Sequence, residues 1–167
     1  GYARSRMIAE DREALEAKIR EHCQAGDFRT ATSVAFKGYG REIFTFLMSF
    51  HRSESDAAEV FGAFSERVWK GIPSFEWGCS FRTWAYTIAR NASHTYRSDA
   101  RNRGQRFPAL PADSELGEIA EQVRTETRSY LKTHARDRIA ELRDALPTAE
   151  RMLLTLRSDR KLPWIEL

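Results

Sequence analysis

Apolar positions recur at helical spacing along nearly the whole chain, and no Val/Ile-rich alternating run argues for a sheet, so the pattern predicts an all-α protein. From Met7 to about Cys23, Ile8, Leu15 and Ile19 make a thin apolar stripe on a charged helix, which Ala25, Gly26 and Asp27 break. From about Thr32 to Phe50, Phe36, Tyr39, Ile43, Phe44, Leu47 and Phe50 predict a helix that buries a wide face. A polar turn follows, whose Ser53, Ser55 and Asp56 are natural N-caps. The next helix, to about Lys70, repeats Ala57, Val60, Phe61, Phe64 and Val68. "GIPSFEWGCS" interrupts it with a loop carrying Phe75 and Trp77, and a further helix is expected from Phe81 to about Asp99, with Ser80 as its cap. Beyond Arg106, Pro108 and Pro111 forbid a continuous helix. Ile119, Val123, Tyr130, Leu131, Ile139, Leu142 and Leu146 then predict a long amphipathic helix from Leu116 to Leu146, stopped at Pro147, with Thr148 placed to cap another.

Composition narrows the function classes. At 167 residues, 31% charged and 41% hydrophobic, the chain suits one compact domain or two small ones. No apolar run approaches the roughly 20 residues a membrane helix needs. Met7 to Arg20 is too charged for a secretory leader, so a cytoplasmic protein without membrane insertion is expected. Cys23 and Cys79 stand far apart, which predicts two free thiols and neither a disulfide framework nor a paired-cysteine zinc site. His22, His51, His94 and His134 lack metalloprotease spacing, and no phosphate loop or nucleophile elbow is present. No enzyme activity, metal or cofactor is expected.

The charge is unevenly spread. Between Arg82 and Arg106 six arginines face one acid, Asp99, whereas from Asp113 to Glu126 five acids face one arginine, Arg124. On a wheel of about 100° per residue, Trp84, Ala85, Ile88, Ala89, Ala92 and Tyr96 share a core face. Arg82, Tyr86, Arg90, Ser93, Arg97 and Arg101 fall opposite and are expected to point to solvent, while Trp84, Thr87, Asn91 and Thr95 form a border strip. A charged helix face is usually only solvated and a helical Trp usually core. Concentrated arginine beside aromatic side chains is, however, what holding phosphates and stacking on unpaired bases requires.

The stretch from Asp56 to Arg103, "DAAEVFGAFSERVWKGIPSFEWGCSFRTWAYTIARNASHTYRSDARNR", resembles conserved region 2 of bacterial sigma factors of the small extracytoplasmic-function (ECF) type. Asp56, Trp69, Ser74, Phe75, Phe81, Thr83, Trp84, Tyr86, Ile88, Ala89, Asn91 and Tyr96 stand in register with that pattern. "LRDALPTAERMLLTLRSDRKLPWIEL" resembles, more loosely, the opening of sigma region 4. The resemblance implies a transcription initiation factor that binds RNA polymerase core and opens promoter DNA. It divides the chain into an N-terminal helical extension (1–25), region 2 (26–106), an acidic linker (107–126) and the start of region 4 (127–167), which ends before the helix-turn-helix.

By the same resemblance, Asp56, Glu59, Phe64, Arg67 and Trp69 dock on the coiled coil of the polymerase clamp. The Ser74 to Ser80 loop cups a base flipped from the nontemplate strand of the minus-ten element. Phe75, Trp77, Phe81, Arg82, Trp84, Tyr86, Asn91 and Thr95 face that DNA, and Arg90, Arg97, Arg101 and Arg103 hold phosphates. An anti-sigma factor or other regulator is a further implied partner. The chain departs from the pattern where a second acid and polar groups are usual in the docking helix, since it carries Ala58, Gly62 and Ala63 and keeps only Glu59. A phosphate on Ser53, Ser55 or Ser65 would restore negative charge there. Thr95 replaces an asparagine found in some relatives. The alternative reading is a sigma-like helical interaction module that binds polymerase or a regulator without opening DNA.

Overall fold

A computed structural model describes residues 2–51, 53–99 and 109–145. They form five helices, α1 (Tyr2–Gln24), α2 (Phe28–Phe50), α3 (Glu54–Gly71), α4 (Phe81–Ser98) and α5 (Glu115–Asp144), with a 3-10 turn at Ile72–Ser74 and no strand among the described residues. The all-α expectation is therefore met. The chain divides into two compact units, residues 1–127 and 128–167.

Local chemistry sets the helix ends. Gly26 takes a left-handed φ of 74°, which glycine adopts at little steric cost and which ends α1. Asp27 then caps α2, its carboxylate accepting from the Thr30 N–H at 3.2 Å. That cap starts α2 at Phe28, ahead of the Thr32 expected from the apolar pattern alone. Of the three candidate caps for α3, Ser53 is the one used, accepting from the Asp56 N–H at 3.0 Å. Ser80 caps α4 as expected, accepting from the Thr83 N–H at 3.1 Å.

The core of the first unit is built from α2, α3 and α4. Phe36, Tyr39, Ile43, Phe44 and Leu47 from α2 meet Val60, Phe61, Phe64 and Val68 from α3. Phe44 and Phe61 rings lie 5.3 Å apart, Phe61 and Phe64 5.5 Å, and Phe36 and Phe64 6.3 Å. Each fully buried phenyl ring contributes about 1.5 to 3 kcal/mol of transfer free energy. Beyond Phe81, the buried residues of α4 are Ala85, Ala89, Ala92 and Ser93, so small side chains bring the helix close to a bulky partner surface. Trp84, Ile88 and Tyr96, expected on the core face, are half-buried along its borders. Phe50 is 41% exposed and not part of the core. From residue 8 of α1 onward, Ile19 is fully buried, with Leu15 half-buried and Ile8 exposed.

The acidic segment 107–126, expected as a linker, is helical from Glu115 onward. The Ser114 hydroxyl accepts from the Gly117 N–H at 3.1 Å in the capping position. Leu116, Ile119, Ala120, Val123 and Thr127 are buried in the first unit. Gly40 permits the approach, because a Cβ there would lie 2.6 Å from Val123 Cγ1. In the second unit, α5 continues with exposed Tyr130, Ile139 and Leu142. The expected stop at Pro147 and the cap at Thr148 lie outside the described residues.

Candidate nucleic-acid interface

The candidate surface is organised by α4, and its N-terminus is fixed from a distance. Glu16, on α1, accepts from the Phe81 N–H at 2.8 Å, the Arg82 N–H at 2.9 Å and the Tyr39 hydroxyl at 2.6 Å. Ser80 serves the third N–H, so the first turn of α4 has its free donors paired with oxygen. The negative charge also suits the positive end of the helix dipole. Burial, followed by the hydrogen bond to Glu16, raises the Tyr39 hydroxyl well above the ordinary tyrosine range. Nothing local in the sequence marks Glu16, which lies on a charged helix among similar residues.

The face of α4 expected to be free is in part occupied. Glu42 on α2 takes both arms of Arg82, Nε to Oε1 and Nη2 to Oε2, each at 3.0 Å, and also accepts from the Tyr86 hydroxyl at 3.2 Å. The Arg82 guanidinium lies 5.0 Å from the Tyr86 ring centre, and Tyr86 meets Phe46 edge-on at 5.4 Å. Hydrogen bonding to Glu42 raises the Arg82 pKa further. Burial, with the Glu42 charge next, raises that of Tyr86. Ser93, expected on the same open face, is buried and shares a 2.9 Å hydrogen bond with His51 Nε2. The wheel assigned these three to solvent because it describes one helix; the C-terminal half of α2 lies along that side.

The aromatic residues of the loop form a cluster with α4. Phe75 stacks on Trp84 at 4.6 Å and 20°, Trp77 lies 4.8 Å from Phe75, and Phe81 meets Trp84 at 5.4 Å. The Arg20 guanidinium sits 5.4 Å from the Trp77 ring centre. Phe81 is buried, whereas Phe75, Trp77 and Trp84 are each half-buried. Trp77 has a positive φ of 59°, a conformation costly for a bulky side chain. These rings support one another, so Phe81 is an anchor of the loop.

The exposed part of α4 is narrower than the sequence suggested and runs along Thr87, Arg90, Asn91, His94 and Arg97. Thr87 and Thr95 donate back to the carbonyls of Thr83 and Asn91, at 3.1 and 2.9 Å. Arg90 and Asn91 make no side-chain hydrogen bond among the described residues and are open to a ligand. Arg97 lies over the exposed Phe50 ring at 4.9 Å. Arg101 and Arg103 fall outside the described residues.

On α3, Asp56 accepts from the Tyr96 hydroxyl at 2.8 Å, tying α3 to α4. Glu59 is exposed, Arg67 and Trp69 are half-buried, and Phe64, expected on the docking surface, is core. Ser65 is also fully buried and donates to the Phe61 carbonyl at 2.8 Å, so it cannot present a phosphate outward. Its helix position reads as polar, and only packing shows that it faces inward.

No helix of the described residues is long and apolar enough to cross a membrane. Cys23 and Cys79 are both free thiols. Residues 35–103 match the family model described as Sigma-70 region 2. Comparison with curated proteins and with solved structures finds no match.

Proposed function

We propose, from the premise that this chain carries a sigma-70 region 2 domain and with it the general sigma-factor role of binding RNA polymerase and recognising promoter DNA, that it is a cytoplasmic initiation factor of the ECF type which melts the minus-ten element. The carrying observation is the paired state of α4. Its first turn is held by Glu16 and Ser80, its flank by Glu42, and Arg90 and Asn91 remain open side by side on the exposed strip. In this reading Arg90 and Arg97 hold phosphates, Asn91 reads the nontemplate strand, and the Phe75–Trp77–Trp84 cluster lines the pocket for a flipped base. Extrusion of a base costs a few kcal/mol, which stacking and a fitted pocket offset. Arg82 and Tyr86 position the helix through Glu42 and do not reach DNA directly. On the polymerase side, Glu59, Arg67 and Trp69 dock on the clamp coiled coil, and Asp56 orients α3 through Tyr96. An anti-sigma factor or another regulator would compete for the same surfaces.

The test is reconstitution of bacterial core RNA polymerase with the protein on candidate promoters, with chemical probing for unpaired bases near minus ten. Asn91→Ala should abolish opening and leave polymerase binding intact. Trp84→Ala is a poorer probe, because it removes a ring from a packed cluster. Polymerase binding without opening by the parent protein would favour an interaction module. The small residues Ala58, Gly62 and Ala63 on α3 favour that second reading.

A further inference from the structure

Part of the 109–127 segment lies against α3 at Ala58, Gly62 and Ser65. A Cβ at Gly62 would lie 3.2 Å from Ala109 Cβ and 3.8 Å from Arg124 Nη1. Arg124 donates to the Ala58 carbonyl at 3.4 Å and its guanidinium sits 6.0 Å from the Phe61 ring centre. The covered positions, Ala58 and Gly62, are the ones where the sigma pattern usually supplies polar docking side chains. A residue with a long side chain at Gly62 would exclude the cover, and glycine admits it.

We propose that the 109–127 segment is an autoinhibitory cover on the docking face of α3, which must lift before the clamp coiled coil can sit there. The inference rests on the proposed polymerase-binding role. The contacts suit a removable layer. Leu116, Ile119 and Val123 keep 6 to 8% exposure, whereas the α3 core residues Val60, Phe61 and Val68 have none. Among the described residues Arg124 makes one hydrogen bond to α3, and it is long, while the Arg29–Glu115 ion pair is exposed on both sides and contributes little. A cleft of about 420 Å³ remains between cover and helix, lined by Gly62, Ser65, Leu110, Glu118 and Arg124. Lifting the cover leaves the α2–α3 ring contacts in place, because Phe44 and Phe36 hold Phe61 and Phe64 from the other side.

The test locks and releases the cover in the full chain. With Cys23 and Cys79 changed to Ser, Gly62→Cys with Ala109→Cys places two Cβ atoms near the 3.5 to 4.5 Å that a disulfide spans. Affinity for bacterial core RNA polymerase is measured by fluorescence anisotropy for the oxidised and reduced forms. The oxidised form should bind at least ten-fold more weakly than the reduced form. Val123→Asp, which detaches α5 from Gly40, should bind several-fold more tightly than the parent. Should its circular dichroism show unfolding, Gly40→Ala serves as the release variant. Equal affinity of oxidised and reduced forms overturns the cover while the polymerase reading stands. Binding by none of the parent, reduced and released forms overturns the polymerase reading, and the cover with it.

Discussion

Removal of the Glu16 carboxylate should loosen the surface that α4 presents, and the size of the loss follows from its three hydrogen bonds. Two are with backbone N–H groups at the start of α4 and one with the Tyr39 hydroxyl. A hydrogen bond to a charged group contributes about 1.5 to 3 kcal/mol net, but bonds sharing one carboxylate do not add in full. Water can also reach the half-buried site and replace part of what is lost. Glu16→Ala should therefore cost about 3 kcal/mol, a large share of the roughly 5 to 15 kcal/mol typical of a domain. At roughly 3 °C per kcal/mol for a unit of this size, the melting temperature should fall by about 10 °C. Glu16→Gln keeps one acceptor oxygen but loses the charge at the helix terminus, and should fall between parent and alanine variant. Urea unfolding followed by tryptophan fluorescence reads the change, since Trp84 lies one turn into the affected helix. A loss below about 0.5 kcal/mol for Glu16→Ala would refute the claim that α1 holds α4.

Four other outcomes are expected. Arg90→Ala should lower the slope of log affinity against log salt for single-stranded minus-ten DNA by about 0.7. Arg82→Ala should leave that slope unchanged while lowering the melting temperature, because Glu42 holds its guanidinium; filter binding over a salt series separates the two. Burial holds the His51 pKa below its ordinary value, so as pH falls below about 6.5 the unfolded chain takes up the proton first. Stability should thus be fully present above that pH and decline below it until His51 protonates in the fold. His51→Gln should flatten this part of a stability profile between about pH 5 and 7. Ser65→Glu, chosen to imitate a phosphate, should lower stability by more than about 3 kcal/mol, since it buries an unpaired charge; thermal melting checks it, and a parent-like value would contradict the inward placement of Ser65.

Helix identity and most helix ends were legible because they depend on neighbours in sequence. Ser53 and Ser80 sit one residue before their helices, and Gly26 with Asp27 both stops α1 and starts α2. The basic face of α4 was legible only in outline. A wheel gives the direction of Arg82, Tyr86 and Ser93 but not what lies there, and Glu42 and His51 are brought in by the packing of α2. Phe64 and Ser65 were misplaced for the same reason, since α3 is covered on more than one side. The acids of 107–126 suggested a linker, while Ile119 and Val123 marked the start of an amphipathic helix; what the sequence did not show is that Gly40 gives that apolar stripe a place to lie. Glu16 had no signal at all, because its role depends on a long-range contact.

That contact has a consequence for how the chain becomes native. The bond from Phe81 to Glu16 closes a loop of 65 residues, and loop-closure entropy grows so slowly that this costs only about 1 kcal/mol more than a loop a quarter as long. The burden is kinetic: α1 leaves the ribosome ahead of α4, and its carboxylate waits for α4 to be synthesised before it finds its donors. The matched family segment begins at residue 35, after Glu16, Ile19 and the whole of α1. The boundaries of the family likeness are therefore not those of the cooperative folding unit, which takes in a helix made before the matched segment and completed by α4.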